Sequence, residues 1–509
     1  TETQSLMSEI FARIGRLIAN GVPLLTALDA TAADSSSPQA GVILSRIGQS
    51  LEVGRSLSGS FENAGIFPDA LIEALRLAED QGRLDVVLPS LAESIAKGDF
   101  VFGDPDEIGS MAKSDPSAEF YETIPNLVDD MINDAYRARA SDLHIDPEPE
   151  GGKIRFRLDG VLQTQEMELN AEQHVAVISR IKCMANLDVA ERKLPQDGRF
   201  FVKLARKADD EPRRVDLRVS ICPFVGGEKA VMRFLDRANL PEGFETTGLN
   251  PSQIQQIQAW LQAPTGLILV SGPVGSGKTT TLYMMLRELA GREKLNVMSI
   301  EDPVEFLLPG VKQLQVQDAI GLTFTSGLRA LLRQDPDVIS VGEIRDVETA
   351  RILSKVAHAG RLALSQLHSR DAVSTVKLLF DLGLPVYILK GIIVGVASQR
   401  LLRKLCPQCK EPLNDTKVKD LPAPYAAMKG ELFKEVGCEH CVKTGYRGRV
   451  VIMELFEPKE DFFNALAKGL STDELLKTLP GSHSTLRSEG LKLVSQGVTT
   501  ISEVERVLG

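Results

Sequence analysis

Residues 271–281, SGPVGSGKTTT, constrain this chain more than any other stretch. Gly272, four intervening residues, and then Gly277-Lys278-Thr279 fit G-x-x-x-x-G-K-[ST], the spacing of a phosphate-binding loop. The stretch follows an apolar strand, Leu267 to Val270, and should open a helix, which is the context the spacing needs. Glycines let backbone N–H groups turn inward around phosphate oxygens without Cβ clashes. The helix N-terminus adds partial positive charge. Gly272, Pro273, Val274, Gly275, Ser276, Gly277, Lys278, Thr279 and Thr280 are therefore candidate contacts to ATP. Lys278 should reach the β- and γ-phosphates, and Thr279 should ligate Mg²⁺.

The flanking pattern agrees with that site. Between about 245 and 402, short apolar runs (GLILVS, LNVMSI, DVISVGE, RLALSQL) alternate with helical stretches, the rhythm of a parallel α/β sheet. DPDVISVGEIRD puts Glu343 at the C-terminal end of one strand, where nucleotides bind in open α/β sheets. Glu343 is the candidate for positioning Mg²⁺ and the attacking water. SIEDPVEF places Glu301, Asp302 and Glu305 after another strand; such acids suit metal or water positioning, or form a solvated turn. SGLRALLRQDP sets Arg329 and Arg333 on one helical face, a spacing equally ordinary for a surface helix. Asp335, before Pro336, is biased out of that helix.

The rest of the chain divides by pattern. Residues 5–97 have apolar residues at helical spacing, broken at Gly21-Val22-Pro23, Asp34 to Pro38, Gly54 and Phe67-Pro68, which predicts an all-α bundle of four or more helices. Residues 98–117 are rich in Gly, Asp, Ser and Pro and read as a linker. From 118 to 240, a helix and alternating strands turned at Asp159-Gly160 and Gly226-Gly227 give an α+β domain. The expected divisions are 1–97, 98–117, 118–240, 241–402 for the P-loop domain, 403–445 for a small metal module and 446–509 for a helical C-terminus. VYILKGIIVGVASQRLL, the longest apolar candidate, carries Lys390 and reads as a buried helix, too polar for a membrane span. The start has no signal-peptide layout and no initiator Met, as in a fragment or a processed chain. A net charge of -11 argues against broad nucleic-acid binding, which needs many cations. The compartment expected is the cytoplasm.

Cys406, Cys409, Cys438 and Cys441 form two C-x-x-C pairs, the signature of a closed, structural zinc site. His440 in place of one sulfur, or a redox pair, are the alternatives. Cys183 and Cys222 read as small buried residues.

These blocks together resemble one family, the hexameric ATPases of type II secretion and type IV pilus assembly (GspE/PilB-like). The matching residues are ASDLHIDP, RFRLDGVL, RIKCMANLDVAERKLPQDGR, DLRVS, GPVGSGKTTTLY, IEDPVEF, LRQDPDVISVGEIRD, SQRLLRKLCPQCK, TGYRGRV and MELFEP, in order over roughly 120–509. The resemblance implies an α+β (PAS-like) domain beside a RecA-like domain, assembled as a homo-hexamer, closing on ATP. It implies work on an inner-membrane platform protein, at the cytoplasmic face of that membrane. It implies that Arg218 and Arg233 of the α+β domain, with Arg329 and Arg333, reach the phosphates, and that the cysteine pairs hold Zn²⁺. AGRLALSQLHSRDA (359–372) keeps His368 of the family's phosphate-sensing stretch but has Arg361, Gln366 and Arg370 where histidine, threonine and asparagine are usual. These departures put coupling in doubt more than binding, and leave open a nucleotide-binding scaffold with weak hydrolysis. Residues 1–97 (GVPLL, GRSLSGSF, IFPDALIEALRLAEDQGRL) resemble instead the cytoplasmic helical domain of the platform protein itself, GspF/PilC-like. The bundle is therefore expected to dock with such domains.

Overall fold

Helical spacing in the first hundred residues becomes α1 (Glu2–Ala19), α2 (Leu24–Ala33), α3 (Pro38–Glu52), α4 (Leu57–Ala64), α5 (Asp69–Gln81) and α6 (Leu84–Lys97). The structure is a computed structural model that describes residues 2–35, 37–102, 118–207, 209–236, 240–292, 294–413 and 431–509. Residues 103–117 of the expected linker lie outside the described residues. Ser37 and Ser56 cap α3 and α4 by accepting from Ala40 N and Gly59 N. The bundle core gathers Phe11, Leu28, Ile47, Leu71 and Leu88, and Phe61 packs against Phe11 and Phe67 at ring separations of 5.5 and 4.7 Å.

The chain divides into two units, Thr1–Asp236 and Arg237–Gly509. In the first, the bundle is followed by α7 (Ala118–Arg137), β1 (Asp142–Glu148), β2 (Gly151–Leu158), β3 (Val161–Asn170), α8 (Ala171–Met184), β4 (Gln196–Leu204), β5 (Arg213–Phe224) and β6 (Gly227–Leu235). The strands form an antiparallel sheet in the order β3-β2-β1-β6-β5-β4. Period-two alternation sends Leu143, Ile154, Val219 and Met232 into a core shared with Val128 and Ile132 of α7 and Ile178 of α8. Arg218 and Arg233 are register partners on neighbouring strands, both exposed, and Arg233 Nε donates to Asp142 at 2.8 Å.

The bundle is docked on α8. A Cβ at Gly54 would sit 2.4 Å from the carbonyl oxygen of Ala176, and Gly54 has a φ of +96°, so only glycine fits this contact. Arg180 donates to Glu52 O at 2.9 Å, and Ala190 from the α+β part is buried in the bundle core. Glu79 of α5 is the buried polar centre of the contact. Its carboxylate accepts from Leu57 N, Ser58 N and the Ser58 hydroxyl, and pairs with Arg192 at 3.4 Å.

The second unit begins with α9 (Pro251–Leu261), β7 (Gly266–Ser271), α10 (Lys278–Ala290), β8 (Val297–Glu301), β9 (Val311–Gln315), α11 (Phe324–Leu331), β10 (Val338–Val341), α12 (Val347–His358), β11 (Leu362–Leu367), α13 (Ala372–Asp381) and α14 (Val386–Ile392). It continues with β12 (Ile393–Leu405), β13 (Glu411–Pro412), β14 (Phe433–Lys434), β15 (Tyr446–Phe456), α15 (Glu460–Ala467), α16 (Thr472–Leu476), α17 (Leu486–Ser495) and α18 (Ile501–Leu508). The main sheet runs β15-β12-β7-β11-β10-β8-β9, parallel except for β15. Its interior strands are buried on both faces, as helices on both sides require. Two expectations fail here. Residues 446–456, expected to begin a helical C-terminus, form β15 in the main sheet, where they pair with β12. VYILKGIIVGVASQRLL is not one helix; α14 stops at Ile392 and the rest is the long strand β12. Pairing with β7 on one side and β15 on the other satisfies its backbone, and its apolar, β-branched residues suit a two-sided strand. No described helix is long and apolar enough to cross a membrane.

Truncating Glu79 to Ala should leave buried N–H groups and Arg192 without their acceptor. Urea unfolding of the full chain should then show a loss of roughly 2–4 kcal/mol, with Glu79→Gln losing less. A loss under about 0.5 kcal/mol would contradict this reading of the contact.

Candidate nucleotide site and cysteine cluster

β7, β8, β10 and β11 are parallel neighbours, so their C-terminal ends lie along one edge of the sheet. That edge collects the phosphate loop after β7, Glu301 and Asp302 at the end of β8, Glu343 after β10 and His368 after β11. The loop turns through Gly272, Gly275 and Gly277, with φ of +147°, +79° and +86°, and leads straight into α10 at Lys278. Val274 is the exposed tip, at 88%.

Lys278 is buried, and its Nζ donates to the loop's own carbonyls, Gly272 O at 2.7 Å and Pro273 O at 2.9 Å. It also lies 3.4 Å from Nδ1 of His368. Burial lowers its pKa to about 8, with the charge of Arg400 acting in the same direction and that of Glu343 opposing. The Thr279 hydroxyl accepts from the Gln366 amide at 3.4 Å.

Glu343 is held from two sides, by Arg345 Nε and by His368 Nε2 at 3.1 Å. Burial works against the charge on Glu343, but these two partners together keep its carboxyl below the usual range. Arg345 also pairs with Asp302 at 3.3 Å. Glu301 is buried and accepts from Tyr283, Ser299 and Gln313. Burial, with Glu301 beside it, raises the Tyr283 phenol well above its ordinary value. Glu305 has no side-chain hydrogen bond or ion pair among the described residues; its backbone N–H donates to Tyr283. Of the three acids in SIEDPVEF, Glu305 is thus the one with an uncommitted carboxylate, and Glu301 is the one already saturated.

The arginines are placed differently. Arg329, on α11, pairs with Glu348 at 2.6 Å, and Arg333 lies beyond that helix and donates to Arg329 O at 3.0 Å. Asp335 is at φ +51°, outside the helix, as its place before proline implies. Arg218 and Arg233 belong to the other unit. The three departures in 359–372 separate. Gln366 is at the phosphate-loop edge. Arg361 precedes β11 at the opposite edge and donates to Pro336 O at 3.0 Å. The Arg370 side chain is exposed, at 79%.

Sequence reasoning missed Gln399 and Arg400, both buried beside the loop. The available signal was a polar pair breaking into the apolar run of β12.

The four cysteines gather as expected. Their sulfurs all lie within 4.8 Å of one another, with Cys406–Cys438 at 3.9 Å, Cys409–Cys441 at 3.8 Å and Cys438–Cys441 at 3.8 Å. A tetrahedral site with Zn–S bonds near 2.3 Å needs sulfurs roughly 3.8 Å apart, so the set fits that ion. Gly437, Cys438 and Gly445 point backbone N–H groups at Cys409 and Cys441, as thiolates need. His440 is not in the cluster.

The fold and the loop define an α/β P-loop ATPase with an added four-cysteine module. The family described as Type II/IV secretion system protein matches residues 118–506, and the chain belongs to that family of secretion and pilus-assembly ATPases. Residues 10–99 match a second family, Type II secretion system (T2SS), protein F. The chain is 39% identical to the Type IV pilus assembly ATPase PilB of Myxococcus xanthus over 404 residues, covering 78% of this chain and 69% of that one. It is 39% identical to the Type II secretion system protein E of Klebsiella pneumoniae over 440 residues, covering 86% and 83%. The X-ray structure of the ATPase DotB of Legionella pneumophila shares the fold, with a TM-score of 0.55 at 18% identity, over 75% of this chain and 95% of that one.

A Lys278 pKa near 8 among its loop carbonyls has a signed consequence. Below it the ammonium is already charged; above it the phosphates must draw in a proton. ADP binding should take up protons between pH 8 and about 10 but not near pH 6.5. Calorimetry in buffers of different ionisation enthalpy reads this directly, and equal uptake at both pH values would contradict it. Dialysis of the cysteine module against a strong chelator should lower the melting temperature of the full chain, with Zn²⁺ restoring it.

Proposed function

We propose that this chain is the assembly motor of a pilus or type II secretion machine, working as a homo-hexamer by domain closure. ATP would enter at the phosphate-loop edge, and its phosphates would draw Lys278 off the Gly272 and Pro273 carbonyls. Mg²⁺, held through Thr279, would neutralise phosphate charge when bound. Glu343, oriented by Arg345 and His368, would position the metal's water shell. Glu305, whose carboxylate has no partner among the described residues, suits the role of accepting the proton of the attacking water. Asp302 acts through Arg345, and Glu301 through Tyr283 and Gln313, in holding the edge in shape.

The observation carrying the closure reading is the pair of exposed arginines, Arg218 and Arg233, on a sheet that contains no nucleotide loop of its own. Arginines that reach phosphates only when the PAS-like sheet closes on the RecA-like core make hydrolysis conditional on movement. Arg329 and Arg333 would exchange their present partners for phosphate in the assembled ring. The protein-F-like bundle gives the chain a surface of the platform protein's own kind, which suits attachment at the cytoplasmic side of an inner membrane. The cysteine cluster would hold a structural Zn²⁺.

Gln366 favours a second reading, slow turnover on a scaffold. Its amide donates to the Thr279 hydroxyl that Mg²⁺ would need. Steady-state ATPase assays separate the two. Lys278→Ala should abolish hydrolysis, and its survival would sink the site. Gln366→Thr should raise kcat several-fold if the amide restrains turnover, and leave it unchanged if it does not.

A further inference from the structure

β12 does more than complete the sheet. Its pairing with β7 ends at Ser398 opposite Ser271, the last residue before the phosphate loop. Gln399 and Arg400 come next, still paired to β15 but running beside the loop rather than beside β7. A Cβ on Gly272 would sit 2.6 Å from Gln399 O and 3.3 Å from an Arg400 guanidinium nitrogen, so the two backbones are in direct contact.

The side chains take hold of the loop and of its neighbour. Gln399 is 1% exposed. Its Nε2 donates to Ser276 O at 2.6 Å, and its Oε1 accepts from the Thr281 hydroxyl at 2.8 Å. One amide thus spans the loop's last turn and the first turn of α10. Arg400 is 7% exposed and makes no ion pair among the described residues. One arm donates to Gln399 O at 2.9 Å and the other to Arg370 O at 2.7 Å, two residues after His368. Burial pushes its guanidinium below the ordinary value, with the charges of Asp371 and Glu454 opposing. A rigid planar fork can hold the carbonyl of its own strand and that of the His368 turn in fixed geometry; a lysine cannot.

We propose that Gln399 and Arg400 are positioning residues for ATP hydrolysis: from adjacent places on β12, Gln399 holds the phosphate loop and Arg400 holds the turn carrying His368, so that the strand ties the two together. His368 contacts both Lys278 and Glu343, so the tie fixes the phosphate-binding lysine relative to the carboxylate that the reaction uses. This rests on the phosphate loop being the nucleotide site, as proposed above.

The test uses the full chain, with Mg²⁺-ATP turnover and ADP affinity measured side by side. Arg400→Lys should lower kcat by roughly tenfold to a hundredfold with KM nearly unchanged, because the charge stays and the alignment goes. Gln399→Met, similar in volume, should weaken ADP binding by roughly tenfold, and Thr281→Val should do the same to a smaller degree. Full kcat in Arg400→Lys overturns the tie, as does any variant set in which only the melting temperature falls. If Arg400→Lys does not fold, Gln399→Met and Thr281→Val decide, and wild-type affinity in both overturns the proposal. Lys278→Ala, assayed in parallel, separates the two readings. Hydrolysis by that variant removes the site itself; its silence beside wild-type Gln399 and Arg400 variants removes only this inference.

Discussion

A buried lysine that makes no ion pair among the described residues organises the second unit. Lys278 sits at the start of α10 with its ammonium on two carbonyls of its own loop. Carbonyl oxygens satisfy its hydrogen bonds but not its charge, which is why burial can pull its pKa so far down. In the proposed mechanism a triphosphate would supply what the carbonyls do not. The proposed site would thus respond to phosphate, with the ligand deciding between two sets of partners for one lysine.

Everything near that lysine depends on parallel strands ending together. Phosphate loop, Asp302, Glu343 and His368 come from separate strands, and only the shared sheet edge brings them within reach. Hydrogen bonds then fix their relations, through Arg345 between Glu343 and Asp302, and through His368 between Glu343 and Lys278. The second unit also carries the cysteine cluster on the chain leaving β12, beyond Arg403, which is paired with the fully buried Glu503. The first unit follows different physics. Its bundle is joined to α8 by close backbone approach at Gly54, and to the segment after α8 by a saturated carboxylate at Glu79.

Much of this was legible in the sequence where chemistry imposes spacing. The phosphate loop, the paired cysteines and the strand-end acids each need particular residues at particular intervals, and they lie where spacing placed them. Packing partners were not legible. Nothing in VYILKGIIVGVASQRLL says that two strands wait on either side of its second half, so helical and extended readings compete until pairing decides. Spacing could not rank Glu301, Asp302 and Glu305 either, because their difference lies in Tyr283 and Gln313, distant in sequence. Arg361 and Gln366 read as one altered patch in sequence, yet a strand's length puts them at opposite edges of the sheet.

In the proposed motor Lys278 changes partners and arginines of the other unit arrive at the phosphates. A structure of the assembled protein with a non-hydrolysable ATP analogue and Mg²⁺ tests both at once. The expected result is Lys278 Nζ on β- and γ-phosphate oxygens, released from Gly272 and Pro273, with Arg218 or Arg233 against the same phosphates. An analogue bound with Lys278 still on its loop carbonyls, and with both arginines turned elsewhere, would contradict it.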